Sequence, residues 1–130
     1  MKWFWRFAKR KIATLNYYYG DGMSYGMSYH ITADSENKCI VVADHFSHQN
    51  RYEMDVDSEH IKRLNEFVKG IGVGRWNGFH RSNKHVCDGT SWSLEIKFDN
   101  NDEIRCSGYM KFPRNYSKFK EYMANNYLDL

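Results

Sequence analysis

Three groups of residues in this 130-residue chain have side chains whose type and spacing could carry chemistry. The first is Glu95-x-Lys97, preceded by Asp88. In metal-dependent nucleases an acidic pair holds a divalent ion and a lysine beside it helps activate water. Glu95 and Lys97 share a face of a strand, because residues two apart do. Asp88, however, is up to about 23 Å from Glu95 along an extended strand, so the carboxylates share an ion only if Gly89 folds the chain back. The second group is His45-x-x-His48 and His80-x-x-x-x-His85-x-Cys87. Neither stretch supplies the usual complement of a structural zinc site, so solvated loop histidines are expected, with no metal and no cofactor. The third is Cys87 with His85 or His80, a thiol–imidazole pair that needs a partly exposed thiol of lowered pKa. Cys39 and Cys106 sit at strand positions suited to small buried side chains, and no oxyanion arrangement accompanies Cys87. A phosphate loop, a dinucleotide fingerprint and a nucleophile elbow are all missing from the sequence. No catalytic residue is therefore expected.

The elements that position these groups follow from hydrophobic periodicity. Ile12–Tyr19 is β-prone and breaks at Gly20-Asp21-Gly22. From Met23 to Ala33 apolar residues alternate, with Tyr29, Ile31 and Ala33 on one face and His30 and Thr32 on the other. Asp34–Asn37 reads as a turn into a strand from Lys38 to Asp44, with Ile31 set against Ile40 and Tyr29 against Val42. Tyr52, Met54 and Val56 alternate in a fourth strand. Asp57 then caps a helix whose stripe is Ile61, Leu64, Phe67, Val68 and Ile71, ended by Gly70 or Gly72. A long irregular segment from Val73 to Thr90 follows, and loops of that length are often functional. Trp92, Leu94, Ile96 and Phe98 define the next strand, with Ile104 and Cys106 on its partner. A three-residue loop, Asp99-Asn100-Asn101, pairs Ile96 with Ile104 and Leu94 with Cys106, with Asn101 left-handed. Outward, Glu95 then meets Arg105 and Lys97 meets Glu103. Pro113 stops the sheet, Asn115 or Ser117 caps a last helix, and Tyr116, Phe119, Tyr122, Met123 and Tyr127 form its stripe. The expected class is α+β: an antiparallel sheet of about six strands, in the order four strands, helix, hairpin, helix, with both helices on one face.

Composition narrows the function. Hydrophobic residues are 42%, aromatics 17% and charged residues 27%, and no apolar run approaches the roughly 20 residues of a membrane-spanning helix. Three widely spaced cysteines are an odd number, which fits free thiols in a reducing compartment and a cytoplasmic protein. The net charge of +3 is unevenly placed. Five basic residues fall in the first eleven positions, while the other 14 face all 16 acidic ones. Residues 1–11 thus read as a basic aromatic arm and residues 12–130 as a single domain. Trp3, Trp5, Arg6, Lys9, Arg10 and Lys11 give that arm the chemistry of a phosphate-contacting or membrane-surface segment, or its aromatics pack on the body while its lysines stay wet.

The pattern Trp76-Asn77-Gly78-Phe79, Asp88-Gly89, Trp92-x-Leu94-x-Ile96-x-Phe98, Gly108-Tyr109 and Pro113-Arg114-Asn115-Tyr116 resembles a family of small domains in bacteria and their mobile elements. The resemblance covers residues 12–128. That family has no assigned activity, so the likeness implies no catalytic residue; it implies an inhibitor, immunity or phage-antidefence type of role. Aromatic surplus points the same way, since Tyr, Trp and Arg anchor protein interfaces and also stack bases. The expected function is a non-catalytic binding domain with a protein partner, using Trp76, Phe79, Tyr18, Tyr109 and Tyr116 as anchors and Arg75 and Arg81 as polar contacts. The alternative is a nucleic-acid or membrane-surface binder acting through the arm, and the third reading is the Glu95/Lys97 nuclease.

Overall fold

The computed structural model describes residues 10–21, 28–44, 50–85 and 89–128. Seven strands form one sheet: β1 (Ile12–Asp21), β2 (Ser28–Asp34), β3 (Cys39–Asp44), β4 (Asn50–Asp55), β5 (His80–Ser82), β6 (Thr90–Phe98) and β7 (Glu103–Tyr109). Their order across the sheet is β4-β3-β2-β1-β6-β7-β5. Helix α1 (Ser58–Gly70) follows β4, and helix α2 (Tyr116–Tyr127) ends the described chain. The class is α+β, as expected, but the sheet is mixed and has a strand more than the sequence indicates. The segment expected to be irregular contains a single 3₁₀ turn (Val73–Trp76) and then β5, which runs parallel to β7. β5 runs opposite to β6 and so does β7, so β5 and β7 point the same way where they meet.

Alternation fixes which face is inside. Leu15, Tyr17 and Tyr19 of β1, Tyr29, Ile31 and Ala33 of β2, and Trp92, Leu94, Ile96 and Phe98 of β6 are all buried. They join Leu64 and Val68 of α1 and Phe119, Met123 and Tyr127 of α2 in one core, so both helices cover the same face. The helices also meet each other: Phe67 stacks on Tyr122 at 3.9 Å between ring centroids, and His60 Nε2 lies 2.7 Å from the Tyr127 hydroxyl. The β6–β7 hairpin has the expected register, Leu94 with Cys106, Ile96 with Ile104 and Glu95 with Arg105, and Asn101 has φ 69°. The β2–β3 register is two residues away from expectation, with Ile31 opposite Val42 and Ala33 opposite Ile40. Asp34 sets it: its carboxylate accepts from the backbone N–H of Glu36 and of Asn37, and Lys38 takes φ 51°.

Asp57 caps α1 as expected, its carboxylate accepting from the His60 N–H at 2.8 Å. Asn115 stands at the start of α2 without capping it; at φ 69° its side chain turns away and donates to the Ile71 carbonyl at 3.0 Å, tying the two helices together. Gly108 is required where it stands. The Trp92 indole crosses it to donate to the Lys111 carbonyl at 2.9 Å, and a Cβ there would collide with both groups.

Candidate binding cleft

The Trp76–Phe79 segment lies along β7. Asn77 Oδ1 accepts from the Arg105 N–H at 3.0 Å, the Gly78 N–H donates to the Arg105 carbonyl at 3.1 Å, and Gly78 has φ 84°. A side chain is strained in that left-handed conformation, so glycine suits it. The Ser107 N–H donates to the Phe79 carbonyl at 2.8 Å, which starts the β5–β7 ladder. Holding this segment against β7 forms one wall of a cleft of about 610 Å³. The end of α1 and the Phe112–Asn115 turn form the others.

Four of the expected binding residues come together here: Arg75, Trp76, Phe79 and Arg81 all line the cleft. Their roles differ from expectation in one respect. Trp76 is 3% exposed, edge-on to Trp92 and Phe119, with its Nε1 donating to the Arg114 carbonyl at 3.0 Å. It is the floor of the cleft, and its ring does not stand out toward a partner. Arg75 and Arg81 are exposed, and the Arg81 guanidinium lies 5.4 Å from the centre of the half-buried Phe79 ring. Lys69 and Arg114 add two more cations, and no carboxylate occurs among the described lining residues. Burial holds the Lys69 ammonium below its ordinary value; Asp99 and Glu66 oppose the shift and Lys11 adds to it. Arg75, Arg81 and Arg114 gathered in a concave site without a described lining carboxylate make a poor place for a further positive charge and a favourable one for an anion.

The remaining expected anchors lie elsewhere. Tyr116 is 5% exposed and its hydroxyl meets that of Tyr17 at 2.6 Å in the core; burial raises both phenols. The Tyr109 hydroxyl accepts from the Gly89 N–H at 2.7 Å and so fixes the entry to β6. Tyr18 lies on the opposite face of the sheet, which no described helix covers, in a hollow of about 550 Å³ with His30, His80, Glu95 and Arg105. Glu95 there is 3.3 Å from Arg105 and 3.8 Å from Lys97. Among the described lining residues it has no second carboxylate beside it, and no described cluster of three His, Cys, Asp or Glu is placed to hold a metal ion. His80 Nδ1 is 2.8 Å from Ser107 Oγ, an arrangement that no sequence spacing reveals because the two residues belong to different strands.

Arg10 and Lys11 are the described part of the arm; Trp3, Trp5, Arg6 and Lys9 lie outside the described residues, as do His45, His48, Cys87 and Asp88. Arg10 is not a solvated arm residue. It is 5% exposed, 2.8 Å from the Asp102 carboxylate and over the Phe98 ring. The Lys11 N–H donates to the Asp99 carboxylate at 3.3 Å on the same hairpin turn, and the Asp99 N–H donates to the Lys11 carbonyl at 2.9 Å. Sequence reasoning missed three residues on which the cleft's chemistry rests, Lys69, Phe112 and Arg114. Phe112 is the one exposed large hydrophobic residue among those described, and a Phe directly before the Pro113 stop was its only signal. No described helix is long and apolar enough to cross a membrane. No protein-family model matches the chain, and no curated protein matches it.

Proposed function

We propose that the chain is a non-catalytic binding domain whose partner is a protein, and that the partner seats an acidic stretch in the cleft. The observation that carries this reading is the gathering of Lys69, Arg75, Arg81 and Arg114 around Phe79 and Phe112 with no described carboxylate lining the site. Arginine beside aromatic rings is the composition of an interface centre, where carboxylates are taken in two-pronged geometry. A protein fits better than a nucleic acid because the charge is local. Apart from those four cations, residues 12–130 hold ten basic residues against sixteen acidic ones. Over residues 12–130 a long polyanion would find fewer remaining cations than carboxylates, whereas nucleic-acid affinity grows with each further phosphate neutralised. An inhibitor, immunity or antidefence role in the cytoplasm accords with this reading and with the sequence pattern of the mobile-element domains.

One observation favours a second reading, in which the basic arm binds nucleic acid or an anionic membrane surface. The Ile12 N–H donates to Asn65 Oδ1 of α1 at 3.2 Å, so the base of the arm is tied to the helix whose end walls the cleft. Capture with tagged wild-type chain, with an Arg75→Ser/Arg114→Ser variant and with a chain lacking residues 1–9 separates them. The first reading expects a stoichiometric protein partner lost from the double variant and kept by the truncation. Retention of that partner by the double variant refutes it.

A further inference from the structure

The cleft continues past its own rim. A second hollow of about 430 Å³, lined by Tyr19, Thr90, Ser117 and Lys120 among others, shares Phe112, Pro113 and Asn115 with the cleft. Phe112 is therefore a ridge between two depressions. It stands out because the chain leaves β7 through Met110 at φ 52° and is stopped by Pro113, which has no N–H to offer the sheet. The ring rests against Tyr116, 4.9 Å between centroids, while 43% of the residue is exposed. Beyond the ridge the Lys120 ammonium donates to the Tyr19 hydroxyl at 3.0 Å and lies 4.3 Å from the centre of that ring. An ammonium has three N–H donors, so Lys120 is oriented by Tyr19 and still has capacity for an anion. No carboxylate occurs among the described residues of this hollow either.

We infer that the partner's segment is an extended acidic peptide that crosses Phe112, placing carboxylates in both hollows and an apolar side chain on the ridge. Cations on both sides of a single exposed aromatic are complementary to an acidic–apolar–acidic stretch. An extended peptide suits them, because its alternate side chains point the same way about every 7 Å. This rests on the reading of the cleft as the binding site and adds the second hollow, the ridge and the chemistry of the occupant.

The probe is a fluorescein-labelled nonapeptide of four Glu, one Leu and four Glu, titrated with the full chain by fluorescence polarisation. The controls are the same peptide with every Glu replaced by Gln, and a single-stranded oligothymidylate of equal length. The Glu peptide should bind at least about tenfold more tightly than the Gln peptide. Arg114→Ser, Phe112→Ser and Lys120→Met should each weaken it by about three- to tenfold. These three positions are exposed or half-buried, and unchanged thermal melting checks that each variant is folded. If Arg114→Ser weakens binding while Phe112→Ser and Lys120→Met do not, the crossing of the ridge is wrong and the cleft reading stands. If the Glu peptide fails to bind, or binds no better than the Gln peptide, both are wrong. Tighter binding of the oligothymidylate with the same dependence on the three positions overturns the peptide assignment in favour of a nucleic acid.

Discussion

Replacing Trp76 by alanine tests whether the indole is a floor or an anchor. The side chain is 3% exposed and meets Trp92 at 6.2 Å and Phe119 at 5.7 Å between ring centres, both edge-on. Truncating a buried aromatic to alanine costs about 3–5 kcal/mol, part of it from such edge contacts. The lost Nε1 donor leaves the Arg114 carbonyl without its protein partner, which adds about 1 kcal/mol where that carbonyl is shielded. A loss of about 4 kcal/mol is a large share of the 5–15 kcal/mol that holds a domain together. Unfolding entropy for a chain of 130 residues is about 0.27 kcal/mol/K, so the melting temperature should fall by about 15 °C. Trp76→Phe keeps a ring in the floor but removes the donor and should cost about 1–2 kcal/mol, or about 4–7 °C. The exposed neighbour Arg75, changed to alanine, should shift melting by under about 2 °C. Thermal denaturation followed by circular dichroism reads all three. If Trp76→Ala melts within about 3 °C of wild type while losing its partner, the indole is a surface anchor and the account of the cleft floor is wrong.

Two other perturbations follow from buried groups. Asp102→Ala leaves the buried Arg10 guanidinium without its carboxylate; since Asp102 is itself one-third exposed, the expected loss is about 2–3 kcal/mol in urea denaturation, largely restored by adding Arg10→Met. A loss below about 0.5 kcal/mol would show that Arg10 is solvated. Removing residues 1–11 takes away Arg10 and the two Lys11–Asp99 hydrogen bonds and should lower melting further than removing 1–9 does. The second concerns alkaline pH. Burial pushes the Tyr29 hydroxyl from 10.0 up to about 12, and raises Tyr17, Tyr116 and Tyr127 as well. A raised phenol pKa stabilises the fold below the unfolded value and loses that contribution as pH climbs from about 10 toward 12, about 2–3 kcal/mol for Tyr29 alone. Phenolate absorbance of the core tyrosines should therefore rise together with unfolding; all tyrosines titrating near pH 10 in a chain that stays native would refute it.

Legibility varied with the range of the interaction that decided each feature. The β6–β7 hairpin was readable because only one loop length puts Ile96 on Ile104 and also sets Glu95 beside Arg105. The β2–β3 register was not, because a slip of two residues leaves every side chain on its own face, and only the Asp34 carboxylate and the left-handed Lys38 choose between the two. β5 is three exposed residues whose strand character comes wholly from backbone pairing with β7, so no periodicity announces it. Arg10 reads as solvated because its partners, Phe98 and Asp102, are nearly ninety positions away in the chain and arrive only on folding. In the cleft Arg75, Arg81 and Phe79 were legible by type. Trp76 was misjudged and Phe112 missed for one reason: an aromatic in a loop looks the same in sequence whether it becomes a floor or a ridge.

The distribution of ion pairs gives the cleft its meaning. Some cations have carboxylates beside them: Arg10 has Asp102, Arg105 has Glu95 and Glu103, and Lys97 has Glu95. Arg75, Arg81 and Arg114 form no ion pair among the described residues, although acidic side chains outnumber basic ones across residues 12–130. Gathering like charges in a concave site with low-dielectric walls raises the local potential and costs the folded state some stability. An exposed pair would return only about 0–1 kcal/mol, so withholding carboxylates costs the fold little. Against an incoming anion the same omission matters more, because a resident carboxylate would have to be displaced before the arginine could bind anything else. Arginines that line a concave site around Phe79 and Phe112 without a described carboxylate keep their charge for counter-ions that another molecule brings.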